Sequence, residues 1–168
     1  MIKLFISDID GTLTDSTTYY SKNGEELKQF SHRDGRGFYL IKEFTSCKTI
    51  LITSEIGGIN KSRADKFIKL KTIEKYIEGE NDKLSIIKKL LKEYKINLNE
   101  CIFIGDDTND LSAMIEIVNN GGLIACPIDA HKDIKNIDNI YISRFGGGHG
   151  AIRNIIDYLF EKDLFYKE

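Results

Sequence analysis

Two short stretches of this sequence crowd carboxylates where chemistry could use them. Asp8-Ile9-Asp10-Gly11-Thr12 follows the apolar run Ile2–Ser7, and Gly105-Asp106-Asp107-Thr108-Asn109-Asp110 closes the run that Cys101 opens. Two carboxylates two residues apart at a strand end can converge on one cation while playing different roles. Gly11 permits a tight turn whose amides can approach an anion closely. The bland reading of the first stretch is an acidic turn with Asp8 or Asp10 as a cap. The bland reading of the second is a helix N-terminus decorated with Asp because the macrodipole favours it. A decorated end rarely needs three aspartates, which repel one another unless a hard divalent ion lies between them.

A hydroxyl and an ammonium lie between these clusters in the chain. Thr53 ends the run Thr49-Ile50-Leu51-Ile52, and Lys83 lies in Gly79-Glu80-Asn81-Asp82-Lys83-Leu84. Taken alone, Thr53 is a turn-forming hydroxyl and Lys83 an exposed first-turn lysine. Taken with the carboxylates, a hydroxyl, a lysine and turn amides around an oxygen-ligated Mg²⁺ make a phosphoryl-binding pocket.

Such residues need a scaffold that brings distant loops together. Ile2–Ser7, Thr49–Thr53 and Cys101–Gly105 are short runs rich in Ile, Leu and Phe, as in parallel strands buried on both faces. Between and after them the spacing is helical: Leu84, Ile87, Leu90, Leu91 and Tyr94 share one face, as do Ile152, Ile155, Ile156, Leu159 and Phe160. Leu40, Ile41 and Phe44 suggest a shorter helix, with Asp34 as its expected N-cap. Strands alternating with helices predict an α/β fold, a doubly wound Rossmann-like parallel sheet. Such sheets bind ligands beyond the carboxyl ends of their strands, where the polar residues above fall. One segment breaks the rhythm. Thr17–Tyr20 and Glu26–Phe30 flank Asn23-Gly24, a hairpin signal, so residues 15–32 read as a β-hairpin insertion.

Composition narrows the function. The 168 residues fit a single domain, 1–168, with 41% hydrophobic and 30% charged residues. A net charge of -2 gives no footprint for nucleic acid or an anionic membrane. Cys47, Cys101 and Cys126 are far apart with no CxxC pair, which argues against disulfides and zinc; Cys101 reads as core. The N-terminal apolar stretch is too short for a secretory signal or a membrane span, so the expected location is cytoplasmic.

The order Asp8-x-Asp10-x-Thr12, Thr53, Lys83 and Gly105-Asp106 through Asp110 resembles the four motifs of the haloacid dehalogenase superfamily. The resemblance implies a phosphatase working through an aspartyl-phosphate, with Asp8 as nucleophile and Asp10 as general acid and base. It implies Mg²⁺ held by Asp8, the Asp10 carbonyl and Asp106, with Asp107 or Asp110 orienting that shell. Gly11, Thr53, Ser54 and Lys83 would hold the phosphoryl group.

Many members of that superfamily carry a cap domain after the first or second motif. Here Thr12 to Thr53 leaves room for the hairpin and one helix, and Thr53 to Lys83 for one helix and a short strand, so no cap domain fits. The chain is similar to the capless phosphatases of 3-deoxy-octulosonate 8-phosphate and of nine-carbon sialic-type acids. The similarity rests on the hairpin, His32-Arg33-Asp34-Gly35, Gly79 through Leu84, and the glycine-rich tail Gly146 through Arg153. It implies a homotetramer in which the hairpin and the glycine-rich tail, which with the helix after it spans 146–168, complete a neighbour's site, with Arg153 a carboxylate or subunit contact. Glu55, Arg63 and Lys66 are the remaining candidate specificity residues. Glu55 and Lys66 resemble the nine-carbon enzymes, whereas His32-Arg33-Asp34-Gly35 resembles the octulosonate enzymes; the expectation leans to a nine-carbon 9-phosphate. Two rivals are an assembly module like the C-terminal domain of CMP-sialic acid synthetases and a receiver domain. The intact motif set disfavours the first, and Thr at the end of Thr49–Thr53 disfavours the second.

Overall fold

The computed structural model describes residues 1–167, the side chains of Glu25 and Glu26 excepted. Its centre is a sheet of six parallel strands: β1 Leu4–Ser7, β4 Lys48–Ile52, β5 Lys75–Ile77, β6 Cys101–Ile104, β7 Leu123–Cys126 and β8 Tyr141–Ile142. They lie in the order β5-β4-β1-β6-β7-β8. The chain runs outward from β1 to β4 and β5, then returns to the other side of β1 and continues to β8. Loops leaving the central strands therefore diverge, and a crevice opens at their carboxyl ends.

Side-chain alternation explains why the central strands read as continuous apolar runs. Phe5, Leu51, Ile102 and Ile104 belong to one core, and Leu4, Ile6, Ile50, Ile52 and Phe103 to the other. The first face is covered by α1 His32–Phe44, α2 Gly58–Lys69 and α6 Ala151–Glu161, through Phe38, Ala64, Phe67, Ile152 and Ile156. The second is covered by α3 Lys83–Tyr94 and α4 Leu111–Asn119, with Ile134 from the short α5 Lys132–Lys135. Phe38 packs edge-on between Phe5 and Phe67, with centroids 6.2 and 5.3 Å away. Burial of each such side chain contributes about 2 kcal/mol, which makes the strand ends rigid supports.

The insertion is a two-stranded antiparallel hairpin, β2 Thr14–Ser21 and β3 Gly24–Phe30, close to the expected residues 15–32. Among the described residues only the hairpin and α1 lie between β1 and β4, and only α2 and β5 between β4 and α3, so no cap domain is inserted at either place.

One expectation needs correction. The N-cap of α1 is Ser31, whose hydroxyl accepts from the Arg33 amide. Asp34 is instead a helical residue, fully buried, whose Oδ1 accepts from the Arg153 amide at 2.8 Å. It caps α6 rather than its own helix, because the close packing of α1 on α6 brings that helix start within reach. All three cysteines are free and buried. Among the described residues no helix is long and apolar enough to cross a membrane.

Candidate active site

Asp8 is the first residue beyond β1. Its amide donates to the Ile104 carbonyl at 2.9 Å, fixing it to the end of β6. Its carbonyl accepts from the Ser7 hydroxyl at 2.6 Å and from the Thr12 hydroxyl, so the turn is tied on both sides. Gly11, at φ 89°, closes this turn in a conformation that disfavours side chains, and a Cβ there would overlap the Asp106 carboxylate.

The structure brings Asp8, Lys83, Asp106 and Asp110 together. Lys83 opens α3, where Asp82 caps the helix by accepting from the Ser85 amide at 3.0 Å. The Lys83 ammonium is fully buried and donates to Asp8 Oδ1 and Asp110 Oδ1, each at 2.5 Å. Asp110 Oδ2 accepts from the Asp106 amide at 3.0 Å and the Asp107 amide at 3.4 Å. Both oxygens of Asp110 are thus engaged, and it holds the loop that carries Asp106. The Asp107 carboxylate turns to the Thr108 amide.

The electrostatics follow from crowding. Burial, then the nearby Asp110 carboxylate, holds Asp8 well above the usual carboxylate range. Burial and Asp110 likewise push Asp106 up to about 7. Burial alone would lower Lys83, but contact with Asp8 and Asp110 raises it above an ordinary lysine. One ammonium among three carboxylates leaves negative charge uncompensated in a dry place.

Asp10 faces a different set of donors. Its Oδ1 accepts from Lys28 Nζ at 2.9 Å, and its Oδ2 from Thr53 Oγ1 at 3.1 Å and Asn60 Nδ2 at 2.6 Å. Sequence reasoning missed Lys28 and Asn60. Nothing distinguishes Lys28 from other hairpin lysines along the chain. Asn60 carried a faint signal, since it shares a helical stripe with buried Ala64 and Phe67.

Asp8, Asp10, Thr53, Ser54, Glu55, Asp106 and Asp107 line one open cleft of about 360 Å³. The Ser54 hydroxyl donates to the Glu80 carbonyl at 3.2 Å. The remaining candidates lie elsewhere in the chain. Arg63 and Lys66 line a separate groove of about 520 Å³ with His32, Arg36 and Tyr39. Arg153 pairs through Nε with Asp157 Oδ1 at 2.7 Å. The glycine-rich segment packs in the same chain behind the Asp8–Thr14 turn, with the Gly148 amide donating to the Thr12 carbonyl at 3.3 Å. A Cβ at Gly147 would overlap the carbonyls of Gly11 and Thr14.

The donor set fits a hard divalent cation. Carboxylate oxygens of Asp8, Asp106 and Asp110 lie within 4.8 Å of one another. All are oxygen donors, as Mg²⁺ requires, and the raised affinity of Asp8 and Asp106 for protons is what a cation would relieve.

Residues 48–144 match the haloacid dehalogenase-like hydrolase family. The chain is 35% identical over 159 residues to the 3-deoxy-D-manno-octulosonate 8-phosphate phosphatase of Escherichia coli K12, covering 94% of this chain and 79% of that protein. It is 32% identical over 158 residues to the Yersinia pestis phosphatase of the same name, covering 94% and 79%. Among solved structures, it resembles the Moraxella catarrhalis octulosonate phosphatase in complex with magnesium ion, phosphate ion and the sugar acid, with TM-score 0.82, 30% identity and 95% and 86% of the two chains covered. The cobalt-bound phosphatase from Haemophilus influenzae matches with TM-score 0.82, 28% identity and 95% and 88% covered.

Proposed function

Because the chain belongs to the haloacid dehalogenase-like hydrolases, we propose that it is a Mg²⁺-dependent sugar phosphatase acting on 3-deoxy-D-manno-octulosonate 8-phosphate. The observation that carries this reading is the buried Asp8–Lys83–Asp110 chain, whose Asp8 lines a cleft together with Asp10, Thr53 and Asp106. The eight-carbon substrate replaces the nine-carbon expectation. Relatives spanning nearly the whole chain act on the octulosonate ester by name, and only Glu55 of the nine-carbon signature lines this cleft. Lys66 lies in the other groove.

In this reading Asp8 attacks phosphorus, and the bond from phosphorus to the sugar oxygen breaks with its electron pair staying on that oxygen. Asp10 supplies the proton that turns the departing alkoxide into an alcohol. Asp10 then accepts a proton from water as the water oxygen attacks phosphorus, and the bond to Asp8 breaks to restore its carboxylate. Thr53, Ser54, Lys83 and the amide of Gly11 would hold the phosphoryl oxygens once substrate replaces acceptors they now meet, Asp10 for Thr53, the Glu80 carbonyl for Ser54 and the Thr14 hydroxyl for Gly11. Lys83 would also lower repulsion between substrate and nucleophile. Asp8, the Asp10 carbonyl and Asp106 would hold Mg²⁺, with Asp107 or Asp110 orienting that shell. When bound, the metal supplies positive charge that offsets the charge of the phosphoryl group.

We read residues 1–168 as one domain and the protein as a homo-oligomer, a tetramer as in the branch it resembles; residue 168 lies outside the described residues. Tyr19, Tyr20 and Leu27 of the hairpin are exposed by 60, 68 and 64%, and the cleft is open, which supports a subunit contact there. The test is phosphate release with Mg²⁺ from octulosonate 8-phosphate, ketodeoxynononate 9-phosphate and N-acetylneuraminate 9-phosphate. The octulosonate ester should give the highest kcat/KM; preference for a nine-carbon ester would return the assignment to Glu55 and Lys66.

A further inference from the structure

We propose that Lys28 is a positioning residue for Asp10, and so makes the hairpin part of the proton-transfer apparatus. The inference rests on the phosphatase reading above. Most of the hairpin faces solvent, yet the Lys28 side chain is only 3% exposed. An ammonium leaves water only where a partner compensates. One such partner is Asp10, 2.9 Å away.

Asp10 is held from three elements at once. Lys28 on β3 takes Oδ1, while Asn60 on α2 and Thr53 at the end of β4 take Oδ2. Asn60 is itself buried, so it is a fixed post. Thr53 is also fixed, because its hydroxyl accepts from the Glu55 amide at 3.1 Å. A carboxylate gripped at both oxygens keeps one orientation on the cleft wall, near Asp8. Asp10 lies in a glycine-containing turn, and that turn alone does not fix the χ angles of its side chain. Lys28, from the segment inserted between β1 and α1, does so together with Thr53 and Asn60, and this gives the hairpin a task beyond the proposed contact with other subunits.

The consequence is chemical. As the bond from phosphorus to the leaving oxygen breaks, its electron pair moves to that oxygen, which takes the proton carried by protonated Asp10 and leaves the carboxylate that Lys28, Thr53 and Asn60 hold. Misplacing the donor by a fraction of an ångström costs rate only where that proton is needed. A sugar alkoxide needs it. A nitrophenolate departs as a stable anion and does not. The loss on removing Lys28 must therefore depend on the leaving group, whereas a merely structural role would slow both esters alike.

The experiment compares kcat/KM of wild type, K28M, K28R and D10N on octulosonate 8-phosphate and on p-nitrophenyl phosphate, with Mg²⁺ saturating. K28M should lose about ten- to a hundredfold on the sugar ester and under about threefold on the aryl ester, a part of the whole general-acid effect. D10N should show the same asymmetry more strongly, and K28R should restore most of the loss. K28Q replaces K28M if melting shows that K28M does not fold. Equal losses on both esters, or none on either, would overturn the role of Lys28 while leaving the phosphatase reading intact. A wild type inactive on both esters would overturn both.

Discussion

Lys83 Nζ stands 2.5 Å from Asp8 Oδ1 and 2.5 Å from Asp110 Oδ1, so one buried ammonium joins the end of β1 to the loop after β6. Lys83 thus bridges two strand ends that lie side by side in the sheet but far apart in the chain. Removing it leaves two carboxylates facing each other without a cation.

Lys83→Met should therefore damage both folding and turnover. Breaking one side of a buried ion pair typically costs about 3–5 kcal/mol, and the loss here should fall toward the low end because Asp8 can take up a proton. Urea unfolding would show the stability loss, and phosphate release should drop by at least about a hundredfold.

Asp34 gives a pH dependence with a definite sign. Burial, only partly offset by the amides of Arg153 and Gly150, raises its carboxyl to about 6. The folded state thus binds a proton that the unfolded chain releases near its ordinary value. The contribution of Asp34 is fully present below that ordinary value and is lost as pH rises through about 6. Asp34→Asn should flatten the decline in unfolding free energy between about pH 4 and pH 7, by an amount on the order of 2 kcal/mol. Urea titrations of both proteins across that range check it.

Metal binding should release protons. Asp106 is raised to about 7 by burial and by Asp110, and a cation would push it down. Calorimetry of Mg²⁺ binding in buffers of different ionisation enthalpy should show release of about one proton near pH 6, fading at higher pH. Asp106→Asn should bind Mg²⁺ at least about tenfold more weakly.

Gly147→Ala should injure the Asp8–Thr14 turn without touching the cleft. Its new Cβ meets the carbonyls of Gly11 and Thr14, which are backbone and cannot swing aside. A loss of about 1–3 kcal/mol in stability and a several-fold fall in kcat are expected, measured by urea unfolding and by phosphate release.

The strand ends that carry Asp8, Thr53 and Asp106 were legible in the sequence because buried parallel strands are unbroken apolar runs that stop abruptly at polar residues. Helices α3 and α6 were legible from their apolar stripes, and the hairpin from Asn23-Gly24. What escaped depends on contacts between distant segments. Lys28 and Asn60 meet Asp10 across 18 and 50 positions, and no local pattern announces that. Asp34 looked like a cap for its own helix because chain order hides α6 beside it. Strand β8, two residues long, is too short to show a period.

In the proposed mechanism Asp8 forms a covalent phosphoaspartate. Rapid acid quench during turnover of octulosonate 8-phosphate carrying radiolabelled phosphate would trap that intermediate. The label should reside, sensitive to hydroxylamine, on the peptide containing Asp8, and Asp8→Asn should abolish both label and turnover. Turnover at the normal rate with no label on the protein, or an active Asp8→Asn protein, would rule out Asp8 as the nucleophile.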